Sequence, residues 1–316
     1  MNRKIKLMLK GLATFIPGAK RSPGKGSMGG NVSARYCYSV WLRHLVTINS
    51  KIPLGIPHTI AEIGPGESLG TGIAALISGA DHYYAFDSVR LADPGADQKM
   101  LEDLIQLFQK EEDIPGPDEF PLVKPFLSSY EFPKSLLTSR HLKEKMRKER
   151  LVNLRQALTK PEDKMNPIRI SYQAPDYDLR DAADNQFDLI FSQTALEYIP
   201  DIEKFYKRCY QLLKSKGVMS HQIDLTSMGL SQFWDGHWTY SDFEWKLIRG
   251  RRRCIVNREP YSKHRDSLLG ANFNITLEMK RTSSPNFNRE HLAKPFRKLS
   301  DDDLTTTGAY ILAVKL

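Results

Sequence analysis

The sequence lacks long apolar runs, paired cysteines and, across its first 61 residues, acids. No stretch of its 316 residues approaches the roughly 18 consecutive apolar residues of a membrane span. Its three cysteines, Cys37, Cys209 and Cys254, lie far apart and form no C-x-x-C pair. That spacing argues against a structural zinc and a disulfide framework, and no metal site is expected. The N-terminus is a poor signal peptide, because Lys10 interrupts the apolar stretch and Lys20-Arg21 follow without a small-residue cleavage site. The expectation is a reduced, cytoplasmic protein.

What is present is ordinary globular composition, 41% hydrophobic and 26% charged, with a formal net charge of +9. The charge is unevenly placed. Met1 to Ala61 carry ten basic residues and no acid, whereas the chain from Glu62 onward holds 36 basic against 37 acidic residues. A near-neutral body with a basic arm follows. In residues 2–16, Ile5, Met8, Leu9, Leu12 and Ile16 fall at helical spacing, with Arg3, Lys6 and Lys10 largely on another face. A Gly/Pro/Ser-rich linker comes next, over 19–31, and residues 33–48 read as a second helix opened by a capping serine.

The body alternates strands and helices. Strands are expected at Thr59–Ile63, His82–Phe86, Ile168–Tyr172, Phe187–Ser192, Gly217–Ile223, Phe273–Lys280 and Ala309–Lys315, and helices at Leu69–Ser78, Ile202–Lys214 and Tyr261–Leu269. Strands separated by helices predict βαβ units in an open α/β sheet with helices on both faces. The stretch from 89 to 167 is far longer than a crossover needs. It reads as a crossover helix (98–111) plus a helical insertion with a charged helix over RHLKEKMRKERLVNLRQAL. The domain division is then an arm and linker (1–32) and one domain (33–316), with a helical insertion at 89–167 and an aromatic and basic loop at 225–260.

The chemistry begins at IAEIGPGESLGTG, where a strand runs into Gly64-Pro65-Gly66 and then a helix. Glycines let the backbone turn tightly beside a ligand, and a helix start presents free N–H groups. Asp87 closes the next strand, 23 residues after Gly64, in a position suited to ribose hydroxyls. The dinucleotide spacing G-x-G-x-x-G is not met, since the third glycine is one residue late. With Glu62 two residues before Gly64, E-x-G-x-G resembles the first motif of class I S-adenosylmethionine-dependent methyltransferases. Further along, Phe187-Asp188-Leu189-Ile190, Leu196-Glu197 and Leu213-Lys214-Ser215-Lys216-Gly217 resemble the type 11 branch of that superfamily, with Tyr198 in place of its histidine and Lys216 in place of the first glycine of its turn. The resemblance covers residues 58–88 and 168–316. It implies a Rossmann-like seven-stranded sheet whose last strand is antiparallel and inserted, and S-adenosylmethionine as cofactor. It implies cofactor contacts at Glu62, Gly64, Gly66, Asp87, Ser192 and Gln193, with Gln173 where many relatives place an acid for the adenine amino group.

Substrate and catalytic candidates lie at the carboxyl ends of the strands. His221, with Asp224 as its orienter or as a substrate ligand, is the leading proton acceptor for a hydroxyl substrate, and His237 competes with it. His237, Trp238 and Arg258 are candidates for substrate binding, and Arg249–Arg253 suits an anionic acceptor. Several segments, HQIDL among them, resemble uncharacterised bacterial methyltransferases of surface-polysaccharide gene clusters. The leading reading is methyl transfer to a small-molecule or glycan hydroxyl. The alternatives are an RNA methyltransferase, disfavoured because the body has no net positive charge, and a non-catalytic, cofactor-binding or membrane-associated partner. For residues 1–16 two readings stand side by side, peripheral contact with an anionic membrane on the inner face and a disordered tail, while the helix at 33–48 is expected to pack on the domain or to lid the cofactor site.

Overall fold

The computed structural model describes residues 3–16, 33–92, 97–176 and 179–316. The expected linker at 19–31 lies outside them. Seven strands form one sheet: β1 (Thr59–Ile63), β2 (His82–Phe86), β3 (Arg169–Gln173), β4 (Phe187–Gln193), β5 (Leu213–Asp224), β6 (Phe273–Thr282) and β7 (Thr306–Lys315). Their order is β3-β2-β1-β4-β5-β7-β6. β1 to β5 pair in parallel, and β7 is antiparallel to both β5 and β6. The inserted antiparallel strand implied by the resemblance is thus present.

Helices cover both faces. On one side lie α2 (Ala34–Lys51), α3 (Gly70–Ser78), α4 (Asp97–Gln109), α5 (Ser139–Lys145) and α6 (Lys148–Thr159); on the other lie α7 (Ile202–Leu212) and α9 (Tyr261–Gly270). Each helix follows its pattern. Ser33 caps α2 by accepting the Tyr36 N–H at 3.1 Å, and Asp201 caps α7 through the Lys204 N–H at 3.0 Å. Ile202, Phe205, Tyr206, Cys209 and Leu212 form the apolar stripe that α7 turns to the sheet.

The insertion is built into the body. Leu101, Leu104 and Phe108 of α4 and Leu154 of α6 join the same apolar core as α2, α3 and the sheet. The charged helix expected over 140–158 is two helices, broken at Met146-Arg147. The break lets both halves reach the end of α3. His141 Nε2 lies 2.8 Å from the Ser78 carbonyl, and the buried Arg150 guanidinium donates to the carbonyls of Leu76 (2.9 Å) and Ala80 (2.6 Å) and to Asp81 (3.2 Å). A cation at the C-terminal carbonyls complements the helix dipole.

The segment expected as an aromatic and basic loop contains a helix, α8 (Asp242–Arg249), opened by a capping box of Ser241 and Glu244. α8 packs on α1 (Arg3–Leu12) through Leu7, Met8, Trp245 and Ile248. Residues 3–12 of the arm are therefore attached to the segment 225–260, which forms a cap beside the strand ends, and Lys4 pairs with Glu244. A short α10 (Asp301–Thr305) leads into β7.

One contact tests how tightly α3 is seated. A Cβ on Gly72 would lie 2.1–2.3 Å from the ring atoms of buried Tyr83. Helix propensity alone favours alanine over glycine by about 1 kcal/mol, but overpacking against a rigid ring costs about 1–3 kcal/mol or more, so the clash wins. Gly72→Ala is expected to lower Tm by a few degrees in thermal unfolding, and Tyr83→Leu in the same chain to recover part of that loss. A Tm that rises in Gly72→Ala would contradict this packing.

Candidate functional site

The sheet reverses its winding between β1 and β4, and the carboxyl ends of β1, β2, β4 and β5 meet around that switch point, where open α/β sheets bind ligands. At the end of β1 the chain turns through Gly64 (φ 69°) and Gly66 (φ 73°), in the left-handed region. The Gly64 N–H donates to the Phe86 carbonyl at 2.8 Å. A Cβ there would lie 2.6 Å from the Cβ of Ala195, so the turn is pressed onto the loop after β4.

Three carboxyl groups surround the turn. Glu62 is buried and points toward α3, where the Tyr83 hydroxyl donates to it. Burial pushes its carboxyl up to about 8, against the opposing pull of the Tyr83 hydrogen bond. Asp87 at the end of β2 accepts from the Val89 N–H at 3.2 Å and, over a long 3.4 Å, from the Gly66 N–H. Burial raises it too, with these amides pulling the other way. The third is Asp97, brought from the insertion at the start of α4. It accepts from the Ser68 hydroxyl (2.8 Å) and the Leu69 N–H (3.2 Å), so the start of α3 is capped from within the protein. Reasoning from motifs missed Asp97, which belongs to no motif and sits in the long insertion. Its position directly ahead of an amphipathic stretch was the one available signal.

Gln173 ends β3 beside Phe86, and its carbonyl accepts the Asp87 N–H at 3.0 Å. Its side-chain Oε1 is buried without a partner, and an orphan acceptor of this kind suits an amino group. The glycine turn leaves room for a ligand's amino-acid head, and Asp87 and Gln173, at the ends of β2 and β3, could take the ribose hydroxyls and the amino group of an adenosine. When bound, S-adenosylmethionine supplies an electrophilic methyl group. The glycine turn, Asp87 and Gln173 are the residues that would hold and orient it.

The other expected cofactor residues sit deeper. Ser192 is fully buried, with its hydroxyl 2.8 Å from His221 Nδ1. Gln193 is tied on both sides: His44 Nε2 lies 3.2 Å from its Oε1, and its amide donates to Gln222 at 2.5 Å. His221 itself is only 1% exposed, packed by Phe205 and Tyr206, and burial together with nearby His44 and His264 pushes it well below its ordinary range. Such an imidazole is neutral, but it reaches an acceptor only after rearrangement.

Asp224 ends β5, partly exposed, and pairs with Arg281 at 3.3 Å. Its neighbour is Glu197, in the turn after β4. Glu197 is buried and neither carboxyl oxygen has a well-formed hydrogen bond. Burial first, and the nearby Asp224 charge second, raise it well above the carboxylate range. Its backbone is pinned by Asn257, whose N–H reaches the Glu197 carbonyl at 2.6 Å and whose amide donates to Leu196 and Ile199 at 2.9 Å each.

The structure gathers His237, Trp238 and Arg258 inside the cap. Trp238 is fully buried and donates to the Arg258 carbonyl at 3.0 Å; His237 is 2% exposed. The Arg258 guanidinium sits between the rings of Trp245 and Phe296, at 4.7 and 4.8 Å, and binds the Tyr240 carbonyl and Asp242. Arg249, Arg251 and Arg253 are on the outside, where the Arg251 N–H binds Thr14 and its guanidinium lies over Phe15. From there the chain crosses the strand ends as a roof: Cys254 Sγ is 3.4 Å from the hydroxyl of Ser88, next to Asp87.

Two outcomes follow. Asp87→Ala is expected to weaken S-adenosylhomocysteine binding roughly ten- to hundredfold in isothermal titration, since hydrogen bonds to a charged group contribute about 1.5–3 kcal/mol; unchanged affinity would misplace the ribose site. Glu62 has a folded pKa raised above its unfolded one, so its contribution to stability is full below about 4.5 and is lost as pH rises through about 8. Thermal unfolding without ligand should therefore decline toward pH 9, and Glu62→Gln should flatten that decline.

A family model described as a methyltransferase domain matches residues 140–220, from α5 through β4 into β5. No curated protein matches the sequence. Among solved structures, the chain is similar to an S-adenosylmethionine-dependent methyltransferase from Mesorhizobium loti, at 12% identity and a TM-score of 0.41, over 86% of this chain and 98% of that one. It is similar also to SAM-dependent methyltransferases from Methanosarcina mazei, at 11% and 0.41, over 82% and 92%. A third is Haemonchus contortus phosphoethanolamine N-methyltransferase 2, in complex with S-adenosyl-L-methionine, at 15% and 0.42, over 87% and 52%. At that distance these likenesses carry no weight. The domain match, the inserted antiparallel β7 and the carboxyl-ringed glycine turn do, and they agree. Residues 140–220 thus match a methyltransferase domain, and the sheet that contains them has the Rossmann-like order with an inserted antiparallel strand.

Proposed function

We propose that the enzyme methylates a hydroxyl of a small-molecule or glycan acceptor, held between the strand ends and the roof at residues 250–257. The observation that carries this reading is Glu197, a buried carboxyl without a well-formed hydrogen bond, beside Asp224 and beneath that roof. Methyl transfer to a hydroxyl needs a group that takes up its proton as the new bond forms. A carboxyl with a raised pKa is a stronger base than an ordinary one. Glu197, itself only 2% exposed, is the proton acceptor in this proposal once entry of the acceptor displaces the roof that covers it, and Asp224 is a ligand for neighbouring hydroxyls, while His221, hydrogen-bonded to Ser192, positions the β4–β5 ends. His237, Trp238 and Arg258 act as positioning residues by holding the cap together.

The carboxyl groups around the mouth also weigh against a nucleic acid. Asp87 and Asp224 at the strand ends would repel a phosphate backbone, and Arg249, Arg251 and Arg253 of the cap lie on its outer side. Carbohydrate hydroxyls, by contrast, find several acceptors there. A carbohydrate of a surface polysaccharide is the version supported by this balance of acceptors together with the segment resemblances.

The test is methyl transfer from labelled S-adenosylmethionine into metabolite and glycan extracts. Glu197→Gln is expected to lower kcat by roughly 10²–10⁴, with S-adenosylhomocysteine affinity unchanged within a fewfold. The pH profile of the parent enzyme should rise as Glu197 deprotonates, and that limb should disappear in the variant. Full activity in Glu197→Gln, with the limb lost instead in a folded His221→Gln, would return the role of base to His221. Transfer into RNA alone would overturn the acceptor class.

A further inference from the structure

We infer that α1 and the turn after it, residues 3–16, form a docking surface for an anionic lipid bilayer. The helix has three faces. Lys4, Leu7, Met8 and Gly11 face α8, with Gly11 against the carbonyls of Leu247 and Ile248. On a second face Ile5, Leu9 and Leu12 are open to solvent, and Phe15 and Ile16 continue the exposed apolar surface beyond the helix; all five are 44–63% exposed. A third face carries Arg3, Lys6 and Lys10, all exposed. The seat on α8 therefore uses one apolar row and leaves the other bare. Five large apolar side chains within a dozen residues make a patch of the kind that marks an interaction site.

Charge says which partner fits. Residues 3–16 contain no acid, and the contact between Arg251 and Phe15 places the exposed Arg249, Arg251 and Arg253 alongside. Both acids of α8 are already paired, Glu244 with Lys4 and Asp242 with Arg258. An apolar row flanked by unopposed cations is the pattern of a helix lying in a membrane interface, its apolar side among the acyl chains and its cations among anionic headgroups. A nucleic acid would use the cations and leave the apolar row in water. Among the described residues no helix is long and apolar enough to cross a membrane, so the association is peripheral. Because α8 runs directly into the roof at 250–257, docking would hold the roof of the acceptor site beside the bilayer. The inference rests on α1 and its surroundings, not on the acceptor proposed above.

Co-sedimentation of the full chain with phosphatidylcholine vesicles, with and without phosphatidylglycerol, tests it. Binding is expected to rise at least tenfold with the anionic lipid. Leu9→Glu with Leu12→Glu, and separately Lys6→Glu with Lys10→Glu, should each abolish that rise while S-adenosylhomocysteine binding and the circular dichroism spectrum stay unchanged. All four positions are exposed, so neither pair disturbs the core. Equal partitioning of parent and variants overturns the inference. So does retention of single-stranded RNA at the same salt that the lysine pair loses and the leucine pair keeps, coupled with no vesicle binding.

Discussion

Under the glycine turn, a buried carboxyl, a tyrosine and a missing side chain make one unit on which the site depends. Glu62 of β1 takes the hydroxyl of Tyr83 from β2, and the ring of Tyr83 lies in space that only glycine at position 72 of α3 leaves open. The unit joins the first two strands and the first crossover helix by contacts that tolerate little displacement in a close-packed interior. The turn at Gly64–Gly66 rides above it, and Asp87 follows Tyr83 by four residues, directly after the strand ends. A carboxyl without water is costly unless it is protonated or partnered. Glu62 meets that cost with a hydroxyl donor and a raised pKa.

The insertion and the arm share a second principle: each is held by the body at a functional edge. Asp97, the first residue of α4, caps the start of α3 beside the glycine turn, so the long crossover completes the carboxyl ring. α1 is held by α8, and α8 continues into the roof over Asp87 and Glu197. The basic charge of residues 3–16 thereby meets the arginines of 249–253 on one outer surface, while the acids gather at the mouth. A net charge of +9 conceals this separation of sign.

Much of the scaffold was legible because strands and helices announce themselves locally. The bounds of β1 and β2 agree with the expected ones to the residue, and Ser33 caps α2 as its position suggested. The charged run at 140–158 was less legible. A continuous helical pattern says nothing about the distant carbonyls of Leu76 and Ala80, toward which Arg150 turns. Lys216 stands in the left-handed region, φ 61°, where the related turn has glycine. The substitution departs from the motif while the backbone keeps its shape.

The sequence by itself determined the winding of the sheet, the glycine turn and the residues that close its strands, because period, turn chemistry and motif spacing are properties of neighbouring residues. Only the tertiary structure decided which polar groups lie at the mouth and which lie in the interior. His221, His237, Trp238 and Arg258 are aromatic or cationic residues near strand ends or in the cap, yet packing buries them all. Glu197, part of a helical-turn motif in the sequence, is left beneath the roof with two poorly bonded oxygens. Burial and partnership are set by what comes close from far along the chain, and no local pattern encodes them.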